Sequence, residues 1–156
     1  MMTKKKRVLL ILIAIAITLP ILGTIGIVLT NNYLAQRIEK ELAAYQLPEE
    51  TVLVDSLSAA GKLVGNGNGM QYMGAILVES ELSTDELLAY YGSRFEYIEV
   101  RKQTSADIDF VNAGHCRFDG YIDGKTYYSV ICWDDNRREL LGDFIGGLLD
   151  LDIRGH

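Results

Sequence analysis

The first apolar stretch of the chain is long, continuous and uncharged. From Val8 to Thr30 there is no charged residue in 23 positions, and the basic cluster at residues 4–7 comes directly before it. At about 1.5 Å per residue, a helix of this length spans roughly 34 Å, more than a hydrocarbon core of about 30 Å. Pro20 predicts a kink rather than an end, because a spanning helix tolerates one missing hydrogen bond. The pattern predicts a single transmembrane helix at residues 8–30.

A cleaved secretory signal shares this N-terminal pattern and is the alternative interpretation. The apolar run is longer than the roughly 7 to 15 residues of a typical signal core, and no small-x-small cleavage site follows it. We therefore expect an uncleaved signal-anchor. Because the basic cluster precedes the span, residues 1–7 are expected in the cytoplasm and the C-terminal domain outside it, as in a single-pass protein of the cell membrane.

A shorter apolar stripe follows in residues 31–48 and predicts a juxtamembrane helical stalk that continues the span. Pro48 is expected to end it, since the residue before a proline is pushed out of the α region. We interpret the stripe as packing on the protein's own domain; the alternative is contact with another membrane protein. Its apolar members recur at intervals of four, four and three: Leu34, Ile38, Leu42 and Tyr45.

From Thr51 onward the pattern becomes that of strands, in a domain expected to fill residues 49–156. Two runs rich in valine, isoleucine and leucine flank the stretch GNGNG at residues 65–69 and predict a hairpin. A phosphate-binding loop requires a following lysine and the start of a helix. Neither follows this stretch, so we interpret it as a turn. Its Asn-Gly dipeptides supply the positive φ angles of a tight reversal. The predicted turn residues are Asn66, Gly67, Asn68 and Gly69.

The middle of the domain contains a strong helix-start signal. Ser83 and Glu86 form a predicted capping box, and Leu82 with Leu87 a hydrophobic staple. The helix is expected to cover the sheet with Leu87, Leu88, Tyr91 and Phe95. A third strand is predicted through Ile98 and Val100, then a loop at residues 103–112 with a short strand through Ile108 and Phe110. The run NRRELLGDFIGGLLDLD predicts a closing helix whose leucine face packs on the same sheet.

The stretch HCRFDGYIDGKTYYSVICW predicts a final hairpin that turns at Asp123-Gly124. The register with Gly124 as a bulge residue collects the apolar side chains on one face, including Cys116 and Cys132. The two cysteines are then diagonal neighbours, at the upper limit for a bridge, so a disulfide and two buried free thiols remain open alternatives. The opposite face is a candidate recognition surface, or else a second core layer under a helix. Its members are Tyr121, Tyr127, Ile131 and Trp133.

Charge and the lack of catalytic motifs narrow the classes of function. Residues 31–156 contain 11 basic and 21 acidic residues, a net charge of −10, which disfavours nucleic acid and anionic lipid headgroups as partners. The two histidines and two cysteines lack zinc-ligand spacing, and no common hydrolase signature occurs. We therefore predict no catalytic residues, no metal site and no cofactor.

Together these patterns predict an α+β fold: a single transmembrane helix, then a small two-layer domain with an antiparallel sheet of four to five strands packed by two helices. The function expected is a non-catalytic extracytoplasmic interaction module that binds a protein partner at the outer surface. The alternatives are an accessory subunit of a membrane complex and, third, an enzyme of the cell envelope.

Overall fold

The computed structural model describes residues 4–64, 69–110, 114–122, 124–133, 142–152 and 154. Within these ranges the chain forms one long helix, a four-stranded sheet, a two-stranded ribbon and two short helices. The elements in chain order are α1 (Lys4–Ala43), β1 (Thr51–Gly61), β2 (Gln71–Ser80), α2 (Thr84–Gly92), β3 (Ile98–Gln103), β4 (Asp107–Phe110), β5 (Gly114–Arg117), β6 (Tyr127–Trp133) and α3 (Gly142–Leu149).

Helix α1 is one continuous helix that passes through two different environments. Its residues 4–26 are all exposed, and α1 is the only helix in the described part of the chain that is long and apolar enough to span a membrane. From Ile27 onward its side chains join the domain core, in which Leu34, Ile38 and Leu42 are buried. The predicted stripe therefore packs on the protein's own domain, and the segment interpreted as a stalk is a structural part of that domain.

The sheet is antiparallel throughout, in the order β1-β2-β6-β3. The predicted β1–β2 hairpin is confirmed, with Gly61 opposite Gln71 and a register shift between Leu53 and Asp55. Of the four predicted turn residues, Asn66, Gly67 and Asn68 lie outside the described residues. Gly69 lies two residues before the first residue of β2.

The two faces of the sheet are covered by different elements, because successive side chains of a strand point to opposite sides. On the central strand β2, Tyr72, Ile76 and Val78 belong to the core beneath the helices. Met73, Ala75 and Leu77 belong to a second core beneath the β4–β5 ribbon. The predicted four-stranded antiparallel sheet with helices is thus present, but the two-layer prediction lacked this third, ribbon layer.

The predicted final hairpin was wrong. β5 pairs with β4, placing Cys116 opposite Ile108, whereas β6 lies between β2 and β3. β6 is apolar on both faces and almost entirely buried, so it is most stable as a central strand with both edges paired. Neighbours in sequence normally pair, but here the burial of β6 determines the pairing.

α1 approaches β2 so closely at Gly74 that only glycine fits there. A Cβ atom built on Gly74 would lie 2.3 Å from the backbone nitrogen of Glu39 and 2.7 Å from the carbonyl carbon of Ile38. Ordinary carbon contacts are about 3.5 to 4.0 Å, so any side chain at this position must displace α1 from the sheet.

The two short helices agree with the sequence only in part. The capping box of α2 is formed, with Glu86 N donating to Ser83 Oγ and Ser83 N to the Glu86 carboxylate. Leu87 and Tyr91 are buried as predicted, but Leu88 is exposed. α3 packs against α1, and of its two leucines Leu149 is buried in the core beneath the helices and Leu148 is exposed. Residues 136–141 of the run that predicted the closing helix lie outside the described residues.

Candidate functional site

The sheet has one end beside the apolar run of α1 and another far from it. At the first, Lys62 N donates to Arg154 O, and the Arg154 guanidinium donates to the Asn32 side chain and to Val28 O. We call this the near end; it includes Gly61, Gln71 and Trp133. The opposite end, called the far end, includes Thr51, Ser80, Gln103 and Tyr127, which the strand pairing places together.

A buried hydrogen-bond network ties α1, β2, α3 and the segment after α3 together at the near end. Asn31 is fully buried on α1, and its Nδ2 donates to Leu149 O (3.1 Å) and to Asp152 Oδ2 (2.9 Å). Tyr72 Oη on β2 donates to Asn31 Oδ1 (2.8 Å). Each polar atom of the Asn31 side chain is therefore bonded within the protein, which offsets the cost of burying it.

Asp152 is the charged centre of this network. Its side chain is fully buried and accepts hydrogen bonds from Arg154 Nε at 3.0 Å and Arg154 Nη2 at 2.5 Å. The hydrogen bonds from Arg154, together with a smaller effect of the Asn31 hydrogen bond, lower the pKa of Asp152 to about 2 against the opposing effect of burial. Asp152 is therefore ionised at neutral pH, with its charge satisfied inside the protein.

The carboxylates Asp150 and Asp152 both have partners in the protein. Asp150 Oδ1 accepts a hydrogen bond from Met70 N, and Asp152 is paired with Arg154. Over the described ranges no three histidine, cysteine or acidic side chains come together as a metal ion would require. The near end thus has the chemistry of a structural joint.

The far end contains a shallow polar pocket of about 270 Å³. The segment after β3 supplies one wall, and β5 with the segment that follows it supplies the other. Hydroxyl groups, one carboxylate and one guanidinium reach it, so it offers both donors and acceptors. Its lining residues are Thr104, Ser105, Ala106, Asp107, Arg117 and Tyr121.

Asp107 has a carboxylate oxygen whose hydrogen-bonding capacity is not satisfied. Its Oδ1 is buried and has no hydrogen-bond partner, one of two such side-chain atoms among the described residues. Its Oδ2 lies 3.6 Å from the largely exposed guanidinium of Arg117, a long ion pair. A buried oxygen that lacks a donor costs about 1 to 3 kcal/mol, so Asp107 Oδ1 is an energetic cost that the described fold does not offset.

The predicted recognition surface does not form an open face. Tyr127 and Ile131 are buried, and Trp133 packs edge-on against Phe110 at 6.0 Å between ring centroids, under the β4–β5 ribbon. The alternative of a second core layer therefore describes them, with a ribbon in place of the expected helix. Tyr121 is half-buried and is the only one of the four that lines the pocket.

The two cysteines are free thiols in separate cores. Cys132 is buried among the residues beneath the helices, whereas Cys116 packs with the core beneath the ribbon. The sheet lies between them, because these two cores lie on opposite faces of the sheet. Burial raises the pKa of Cys116, which lowers its thiolate fraction and hence its nucleophilicity at neutral pH.

Comparison of the chain with known protein families, with curated proteins and with solved structures gave no match. The near-end joint and the far-end pocket are therefore the features from which a function is inferred.

Proposed function

We propose that this protein is a single-pass, membrane-anchored protein whose extracytoplasmic domain binds a partner protein through the far-end pocket, without catalysis. The observation that carries the proposal is the continuity of α1. The same helix exposes an uncharged run suited to lipid and then enters the core of a folded domain.

The exposed part of α1 has the polar chemistry expected of a helix in lipid. Its hydroxyl groups bond inside the helix: Thr18 donates to Ala14 O, Thr24 to Pro20 O at 3.0 Å and Thr30 to Gly26 O at 2.9 Å. Unsatisfied polar groups are costly in a bilayer, and these bonds avoid that cost. The basic residues 4–7 favour a cytoplasmic N-terminus, and the length of the uncharged run favours a signal-anchor that is not cleaved.

The pocket supports binding rather than catalysis. Among the described lining residues, Asp107 is the only carboxylate and none is a histidine or cysteine, so these residues do not assemble a paired general acid and base. Asp107 Oδ1 needs a donor, and residues 31–156 carry a net charge of −10. A partner that presents a lysine, arginine or amide side chain meets both conditions.

The binding part is tested by affinity purification of the full chain from native membranes, with two variants of one strand. Asp107→Ala removes the pocket carboxylate, and Asp109→Ala removes an exposed carboxylate two residues along β4. We expect a specific protein to be recovered with the wild type and with Asp109→Ala but not with Asp107→Ala. Equal recovery with both variants contradicts the assignment of the pocket.

The anchor is tested separately. A protease added to intact cells should digest the domain and leave the N-terminus, and a mature chain beginning near Asn31 would show instead that the apolar run is a cleaved signal. Replacing residues 8–26, which are all exposed, with an unrelated span should leave recovery of the partner unchanged. If that replacement abolishes it, the protein is an accessory subunit that assembles through its span.

A further inference from the structure

We propose that α3 and Leu151, two residues after its end, lie on the outer membrane surface and insert apolar side chains among neutral lipids. This inference rests on the proposed function, because it requires residues 8–30 to lie in the bilayer. It goes further in that it assigns a second lipid contact to a part of the chain about 120 residues away from the span.

The height of α3 relative to the span is fixed by contacts with α1. Asn31 Nδ2 donates to Leu149 O at the end of α3, and Arg154 Nη2 reaches Val28 O at 3.5 Å. Val28 belongs to the uncharged run, and Ile27 already packs against the domain core. The near end therefore touches the last turn of the apolar run, so insertion of that run brings α3 to the lipid interface.

Three described side chains in α3 and just after it are both apolar and exposed. Ile145, Leu148 and Leu151 recur every three residues and are 46%, 40% and 60% exposed, whereas Leu149 is buried against the core. Close to them along the axis of α1, Tyr33 is 58% exposed, at the position where interfacial aromatic residues collect. An apolar face that extends beside a transmembrane helix fits the headgroup and acyl boundary.

The charges of the near end indicate a neutral lipid surface. Arg154 is held by Asp152, and the exported part of the chain is strongly acidic. Attraction to anionic headgroups is therefore weak, and the apolar side chains are what favour the contact. We expect the contact to form in vesicles of phosphatidylcholine alone.

The test uses tryptophan quenching by brominated lipid. Trp133 is the single tryptophan, so Trp133→Phe provides a background into which one tryptophan is placed at a time. The full chain is reconstituted in phosphatidylcholine vesicles brominated either near the headgroup or deep in the acyl chain. Retained far-ultraviolet circular dichroism and thermal unfolding check that each variant is folded.

Three positions are compared. Leu22→Trp reports on the span, Leu148→Trp on α3, and Leu88→Trp is the matched control, since Leu88 and Leu148 are 41% and 40% exposed. Leu88 lies on α2, whose Tyr90 donates to Gln46 O. Gln46 follows the end of α1 at Ala43, which is about 18 Å along the helix axis from Asn31. Leu151→Trp is a second reporter, independent of changes within α3.

We expect Leu22→Trp to lose emission most with deep bromine, Leu148→Trp and Leu151→Trp to lose it most with shallow bromine, and Leu88→Trp to lose none. If both α3 reporters behave like Leu88→Trp while Leu22→Trp is quenched, the inference is overturned and the anchor stands. If Leu22→Trp is not quenched either, the anchor itself fails. A blue-shifted but unquenched emission from α3 indicates a protein cover and overturns the inference too.

Discussion

The two ends of the sheet treat buried polar groups in opposite ways. At the near end Asn31 and Asp152 are completely buried, and both are bonded within the protein. At the far end Asp107 Oδ1 is buried without a partner beside an open pocket. A closed network costs little and fixes geometry, whereas an unsatisfied buried group costs about 1 to 3 kcal/mol. The difference separates a structural joint from the pocket that is proposed to bind a partner.

The largest effect is expected where α1 is seated on the sheet, above the near-end joint. Gly74→Ala places a methyl group 2.3 Å from Glu39 N, and backbone cannot move aside as a flexible side chain can. We expect a loss of at least about 3 kcal/mol in the free energy of unfolding, measured by urea denaturation of the full chain in detergent micelles. Gly92→Ala is the control, because a Cβ there meets nothing within 4 Å. Equal stability of the two variants contradicts the close packing.

The next effect is the loss of the Asp152 charge in acid. Because the folded pKa of Asp152 is about 2 and its ordinary value is 3.8, its contribution is complete above about pH 4 and is lost as the pH falls towards 2. The difference corresponds to about 2 kcal/mol. We expect the wild type to lose that much more stability than Asp152→Asn between pH 4 and pH 2, measured by urea denaturation. A slope unchanged in Asp152→Asn contradicts the assignment.

A smaller loss is expected from opening the network by a single hydroxyl group. Tyr72→Phe keeps the ring but removes the donor to the buried Asn31 Oδ1, so we expect a loss of about 1.5 kcal/mol in the free energy of unfolding. Tyr33→Phe removes the hydroxyl of an exposed ring and should change stability by less than about 0.5 kcal/mol. Similar stability of both variants would show that Asn31 is satisfied in another way.

The smallest effect, with the opposite sign, is expected at Tyr91. Its hydroxyl is buried without a partner, and burial, with Tyr90 and then Tyr45 nearby, raises its pKa to about 12. Tyr91→Phe removes an unsatisfied group and keeps the ring contact with Tyr90 at 5.3 Å between centroids. We expect stability to be unchanged or to rise by up to about 1 kcal/mol, measured as for Tyr72→Phe. A loss larger than about 1 kcal/mol contradicts the absence of a partner.

The sequence predicts the elements that are encoded locally. The capping box at Ser83, the β1–β2 hairpin and the strand through Val100 each depend on residues within a few positions of one another, and the structure contains all three. The pairing of β5 with β4 depends on how much surface the whole sheet buries. The residues around Asp123-Gly124 do not indicate how much surface the sheet buries, so the hairpin predicted there was wrong.

The candidate sites were harder to predict from the sequence than the helices and strands. Of the predicted recognition residues only Tyr121 lines the pocket, because burial under the ribbon depends on where β4 and β5 pack. The joint connects Asn31 with Asp152, 121 positions further along the chain. A polar residue directly after a long apolar run is a weak signal for such a joint, and only the fold shows which distant carboxylate it meets.

Because α1 continues without a break from the apolar run into the core, the apolar run and the domain rotate as one rigid unit. No flexible hinge separates them, since Asn31, Leu34 and Ile38 are already held by the domain. With the run seated in a bilayer, each residue added to or deleted from it rotates the body by about 100° and shifts it by about 1.5 Å. In a bilayer, the length of the apolar run therefore determines the rotational orientation of the far-end pocket about the axis of α1.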